Sequence, residues 1–203
     1  MMRLYRPFFM APLFYPGAIF RLKMPGKVLC ITFDDGPDPG STPRLLDILG
    51  SHAVRAIFFC DGRAAEKNPR LVNEITDSGH VIGNHGYNHL DGWMTPPGKY
   101  ADDVKLASKF TSGKIFRPPY GRLRGSQFLK LRRDYKIIFW DLMPHDFNQS
   151  LSPSRCLAIL KKMTRPGSII VLHDTPRSSS GIFLDEFLYF VRESGYSFAL
   201  PGY

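Results

Sequence analysis

Val28-Leu29-Cys30-Ile31-Thr32-Phe33-Asp34-Asp35-Gly36-Pro37 is an almost unbroken apolar run that ends in two adjacent carboxylates. Such a run, with no alternation of polar positions, is the pattern of a parallel strand covered on both faces. Neighbouring side chains on a strand point to opposite faces, so Asp34 and Asp35 can share one site only where the strand has ended. Gly36-Pro37 supplies that ending, because Gly reaches backbone angles closed to other residues and Pro cannot continue a ladder. Two unpartnered anions there would repel each other, so the pair calls for something positive between them.

Outward from this stretch, apolar segments alternate with helical ones. Thr42-Pro43 opens a helix carrying Leu45, Leu46, Ile48 and Leu49, with Thr42 as N-cap and Pro43 in the first turn. Ala56–Cys60 reads as a second strand, and a helix over Pro69–Asp77 stops at Gly79. His80–Gly83, Ile115-Phe116, Lys136–Trp140, Ser168–Leu172 and Tyr196–Leu200 read as further strands. Helices are expected over Tyr100–Phe110, Ser126–Arg133, Pro153–Met163 (capped by Ser152) and Phe183–Glu193. Seven strands alternating with helices, without internal repeats, imply parallel βα units. Polar residues follow strands one, three, four, five and six. That favours a distorted (β/α)7 TIM-like barrel, an α/β single domain, over an open sheet that would concentrate them at one switch point. The domain is expected over residues 25–203, with residues 1–24 as an arm packed on it.

Composition narrows the partners. The chain has 203 residues, 43% of them hydrophobic, which is enough for one sizeable core. Its net charge of +9, from 27 basic and 18 acidic residues, suits anionic polymers or membrane surfaces. No basic cluster interleaves with aromatics on a nucleic-acid module, so nucleic acid is not expected as a partner. Cys30, Cys60 and Cys156 form no close-spaced pair, and two of them fall in buried strands. Pro7, Pro12 and Pro16 interrupt the apolar N-terminal stretch, which shows neither a signal-peptide pattern nor a bilayer-spanning run. By sequence the chain is cytoplasmic or membrane-peripheral, and a monomer is expected.

His85 and His89 are four residues apart. On a helical turn they would lie on one face and could converge on a single ion, with one aspartate from the first turn completing a His2Asp site. Arg117-Pro118-Pro119-Tyr120-Gly121 follows strand four, where two prolines fix a loop that orients an Arg and a Tyr. Asp146 follows strand five, and His173 ends strand six, where an imidazole suits a general acid.

In these five motifs, in this order, the chain resembles the polysaccharide deacetylases, carbohydrate esterases with a NodB homology domain, over about residues 28–200. The resemblance implies hydrolysis of N-acetyl groups on an N-acetylglucosamine-type glycan, with Asp34 as general base and Asp35, His85 and His89 as metal ligands. It implies that Arg117 pairs with the base and that Asp146 orients His173, the general acid. It implies a divalent metal, zinc first and cobalt or another ion otherwise, polarising the acetamide carbonyl and lowering the pKa of bound water. The Tyr120 backbone N–H would meet the oxyanion, and Pro119, Trp140, Phe147 and Leu172 would line the substrate. Family analogy would put the protein at the cell envelope. Two positions depart from the pattern. Gly86 stands where Ser or Thr is usual, removing a hydroxyl that braces the loop, and Phe147 stands for Trp in one wall.

Other readings compete. A deacylase of a lipid-linked sugar or of a non-carbohydrate amide would keep the same chemistry. A silent metal-containing sugar-binding module would lack a base, a ligand or an acid, and all three are present. His89-Leu90-Asp91 with His173 mimics the triad of non-haem iron oxygenases, but those commonly occupy all-β folds.

Overall fold

The computed structural model describes residues 5–111 and 113–202, so residues 1–4 of the expected arm lie outside the described residues. A short helix α1 (Ala11–Phe14) precedes β1 (Val28–Asp34), α2 (Thr42–Ser51), β2 (Ile57–Cys60), α3 (Gly62–Lys67), α4 (Pro69–Asp77) and β3 (Val81–Asn84). There follow α5 (Pro97–Ala107), β4 (Ile115–Phe116), a 3-10 turn (Pro119–Gly121), α6 (Gly125–Leu131) and β5 (Lys136–Ile137). The chain closes with α7 (Pro153–Met163), β6 (Ile169–His173), α8 (Ser180–Glu193) and β7 (Ser197–Phe198). All strand pairs are parallel, in the order β5-β4-β3-β2-β1-β6, with β7 pairing the start of β1. The sheet curls into the distorted (β/α)7 barrel that the alternation of elements implied.

Side-chain alternation along β1 explains the curl. Leu29, Ile31 and Phe33 pack outward with Leu45 and Leu49 of α2 and with Leu184, Phe187 and Leu188 of α8. Val28 and Cys30 join Ile57, Phe59, Ile115, Ile138 and Ile169 in a separate cluster on the other face, the barrel interior. Burying each such side chain contributes about 1.5–3 kcal/mol. That is why a strand with no polar alternation is stable here.

Several local expectations shift. Thr42 is the first residue of α2 rather than its cap, and its hydroxyl donates to Asp174 instead. Ser152 does cap α7, accepting from the Arg155 N–H. Helix α3 was not read from the sequence; six residues without an apolar stripe are held by the Asp61 carboxylate, which accepts from Arg63 and Ala64 N–H. Strand β5 is two residues long, because the following residues leave the β4 edge. Leu142 then bridges Ile170 on β6, while Ile19 of the N-terminal segment bridges Ile138. No described helix is long and apolar enough to cross a membrane.

Candidate active site

The register of the parallel ladders brings the chemistry together. Asp34 at the end of β1 lies directly opposite His173 at the end of β6. Asp34 is buried, and its Oδ1 accepts from Arg117 Nη1 at 2.7 Å. Arg117 is fully buried inside the barrel, where its other donors reach Thr32 Oγ1 at 2.6 Å and the Ile138 and Phe139 carbonyls at 3.3 and 3.0 Å. Its guanidinium also lies 4.1 Å from the centre of the Phe59 ring. With four of its five N–H donors engaged, the guanidinium is held in place and fixes the carboxylate it binds.

Asp35 turns out of the strand with φ 78°, a left-handed angle that Asp tolerates better than most residues. Its Oδ1 lies 3.6 Å from His85 Nε2 and 3.2 Å from His89 Nε2. One ligand atom from each of these three residues falls within 4.8 Å of the other two. His85 Nδ1 donates to the Arg117 carbonyl at 2.8 Å, which leaves the Nε2 lone pair facing the aspartates. Burial pushes the His85 imidazole down to about 4, against the opposing pull of Asp34 and Asp35, so it is neutral and able to ligate at neutral pH. Burial pushes the Asp35 carboxyl up, but its His89 hydrogen bond and the nearby imidazoles outweigh that and hold it ionised. An ionised carboxylate and two imidazoles, one with its outer nitrogen already engaged, fit a divalent cation.

The histidines are not on a helical turn. They sit in an irregular loop after β3, with Gly86 at φ 78° and His89 at φ 52°. The buried Asp103 of α5 holds this loop: its carboxylate accepts from Tyr87 N–H at 2.8 Å, Asn88 N–H at 3.2 Å and Asn88 Nδ2 at 2.6 Å. Asn84 Oδ1 accepts from the Gly86 N–H at 2.8 Å. A Cβ at Gly86 would stand 3.1 Å from Asp103 Oδ2, so Gly lets the carboxylate approach while Asp103 and Asn84 brace the loop without a hydroxyl. Asp103 escaped the sequence reading. Its signal was an acid on the buried stripe of α5, between Tyr100 and Ala107.

His173 Nδ1 meets Asp146 Oδ1 at 2.9 Å, and its backbone N–H donates to Asp146 Oδ2 at 2.8 Å. Burial alone would lower its pKa, but Asp146 by charge and hydrogen bond, helped by Asp35 and Asp34, raises it to about 9. The Phe147 ring meets His173 edge-on at 4.6 Å and is partly exposed. Tyr120, at φ 58°, is exposed and meets the His89 ring at 4.6 Å. Pro119 is buried beneath it, and Trp140 is half-buried. Leu172 is the exception. It is fully buried in the outward core with α7 and α8, because the strand's alternation turns it away from the mouth, so it does not line the substrate. A further acid, Asp174, is buried beside β1 and accepts from Ser41 Oγ and Thr42 Oγ1, each at 2.6 Å. Burial pushes its carboxyl up to about 6.

A parallel barrel whose C-terminal mouth carries an Asp-His-His cluster between a buried Asp–Arg pair and a buried Asp–His pair belongs to the hydrolases that can use a divalent cation. The sequence profile of the polysaccharide deacetylases matches residues 21–137, more than half of the chain. A peptidoglycan-N-acetylglucosamine deacetylase of Bacillus cereus is 33% identical over 182 residues, covering 85% of each chain. The peptidoglycan-N-acetylmuramic acid deacetylase PdaA of Bacillus subtilis is 29% identical over 182 residues, 85% of this chain and 69% of its own. The crystal structure of the Bc1960 peptidoglycan N-acetylglucosamine deacetylase superposes with a TM-score of 0.84 at 30% identity, covering 90% of both chains. The chain belongs to the polysaccharide deacetylase family, and is a hydrolase acting on carbon–nitrogen bonds of polysaccharides.

Proposed function

We propose that the protein removes N-acetyl groups from N-acetylglucosamine residues of an envelope glycan, peptidoglycan first. The observation that carries this is the fixed Asp34–Arg117 pair standing beside the Asp35-His85-His89 cluster and opposite His173. Zinc or another divalent ion held by Asp35, His85 and His89 would supply Lewis-acid polarisation of the acetamide carbonyl and of the attacking water. Asp34, aimed by Arg117, takes the proton of that water. The Tyr120 backbone N–H donates to the developing oxyanion, with Pro118-Pro119 stiffening its loop. His173, protonated and oriented by Asp146, passes its proton to the departing amine nitrogen, so acetate and a free amine leave. Residues 1–24 act as an arm on a domain spanning 25–203, and the protein works as a monomer. The arm's exposed Phe8, Phe9, Leu13 and Phe14, with the +9 net charge, are the features that would meet an anionic polymer or lipid surface.

The test is acetate release from N-acetylglucosamine oligomers and from peptidoglycan, by protein stripped of metal and reloaded with zinc or cobalt. Release is expected only after reloading. Asp34→Asn should retain the metal and lose turnover by roughly 10²–10⁴-fold, whereas His85→Ala should lose both. An Asp34→Asn enzyme with unchanged turnover would remove Asp34 from the base role.

A further inference from the structure

Beyond the reacting centre, the geometry points to a sugar-stacking subsite on the indole of Trp93, reached from the metal cluster through Tyr120 and Arg122. This rests on the deacetylase reading and extends it to the neighbouring sugar of the chain. Three observations carry it.

Trp93 is 55% exposed, although its indole is a large apolar surface whose burial is favourable. Its loop is nevertheless rigid. The Asp91 carboxylate accepts from the Trp93 N–H at 2.9 Å, and the fully buried Gln127 donates to the carbonyls of Gly92 at 2.9 Å and Thr95 at 3.0 Å. Arg124 donates to the Trp93 carbonyl through Nε at 3.1 Å. A Cβ at Gly92 would fall 2.1 Å from the Arg122 carbonyl oxygen, so the two loops are in backbone contact. An exposed aromatic that needs no ordering loses little entropy when a ligand lands on it.

The ring is also continuous with the site. The Arg122 guanidinium lies 5.1 Å from the Trp93 ring centre and 5.8 Å from that of Tyr120, and Tyr120 in turn touches the His89 ring. Finally, the charge lying nearest the ring face is paired. Asp91 forms an ion pair with Arg122, so the guanidinium nearest the ring is paired with a carboxylate. A neutral, flat, rigid aromatic suits the C–H face of an uncharged pyranose rather than a phosphate or carboxylate. The ligand is therefore an N-acetylhexosamine unit of a chain longer than one sugar.

The experiment compares wild type, Trp93→Ala and Trp93→Phe, all metal-loaded, on a β-1,4-linked N-acetylglucosamine pentamer. Trp93→Ala should raise KM roughly tenfold with kcat within about twofold, and Trp93→Phe should recover most of the loss. In parallel, the metal-loaded Asp34→Asn protein is titrated with the same pentamer by tryptophan fluorescence, with and without Trp93→Phe. A saturable change that vanishes with Trp93 is expected. Unchanged KM in Trp93→Ala overturns the subsite, as does a loss of kcat and metal content that Trp93→Phe does not rescue, which would make Trp93 a loop-folding residue. If wild type releases no acetate, the deacetylase reading fails by itself, and the fluorescence titration still decides the subsite.

Discussion

Asp146 grips His173 twice, at Nδ1 and at the backbone N–H, and no other described carboxylate touches that imidazole. The consequence is a proton held well past neutrality, with a pKa of about 9 against an ordinary 6.5. A divalent cation held in the neighbouring cluster would repel the imidazolium and bring that value down, so in a metal-loaded enzyme the proton would leave at or below about pH 9. A raised pKa means the acid form is present below it and lost above it. The expected profile of kcat/KM therefore has an alkaline limb, and Asp146→Asn should move that limb to lower pH while leaving bound metal unchanged. A limb that stays in place in Asp146→Asn would separate it from His173. At this scale the sequence was most informative. Asp34, Asp35, His85, His89, Arg117, Asp146 and His173 each end or follow a strand, and parallel register carries those strand ends to one mouth. Leu172 misled because motif adjacency says nothing about which face of β6 a side chain takes.

Elements are a different matter, because the one that presents the histidines is not a regular element. A His-x3-His spacing is natural on a helix, yet here a left-handed Gly86 and a left-handed His89 fold the same four-residue gap into a loop. No local periodicity announces that shape. It is imposed from α5, sixteen residues downstream of Tyr87, by the Asp103 carboxylate. Asp103→Ala would remove the shared acceptor of three N–H donors in a loop that runs from the buried Gly86 to the exposed Asn88. Each such orphan costs about 1–3 kcal/mol unless water replaces the acceptor. The expected outcome is a loss of metal affinity of roughly 10–100-fold, the usual consequence of removing a group that orients a ligand, and a lower Tm. Metal titration against a chelating dye checks the first and thermal unfolding the second. Undiminished affinity in a folded Asp103→Ala protein would mean that Asn84, the Arg117 carbonyl and the Gly62 and Arg63 N–H groups of α3 suffice to hold the loop. Helix α3 was illegible for a related reason: it is too short to show an apolar stripe, and only the Asp61 cap marks it.

On the scale of the whole molecule, the barrel has a seam between β5 and β6, and the N-terminal segment runs along it. Ile19 bridges Ile138, Phe20 stacks on Phe139 at 4.6 Å, Leu22 N–H donates to the Gly167 carbonyl at 2.8 Å, and Tyr15 Oη donates to the Leu123 carbonyl at 2.6 Å. The packing of residues 15–22 was anticipated only as an irregular arm; its role as a strand-like filler depends on partners more than a hundred residues away, which no local pattern encodes. Asp141 ties the seam. It is buried, accepts from Arg6, from Arg165 and, at 2.7 Å, from Ser168 Oγ, and so joins the arm, the chain after β5 and the start of β6. Burial opposes its ionisation, but the Arg165, Ser168 and Arg6 hydrogen bonds outweigh it and lower its pKa. A carboxyl depressed in the folded state contributes stability that is present above its unfolded pKa of about 3.9 and lost as pH falls towards the folded value. Asp141→Asn should therefore cost roughly 1.5–3 kcal/mol at neutral pH, the range for hydrogen bonds to a charged group. The deficit should shrink as pH falls below about 4, because only the wild type has this contribution to lose. Urea unfolding of both proteins across that range measures the difference directly, and a deficit that stays constant with pH would show that the seam is held by shape rather than by this charge.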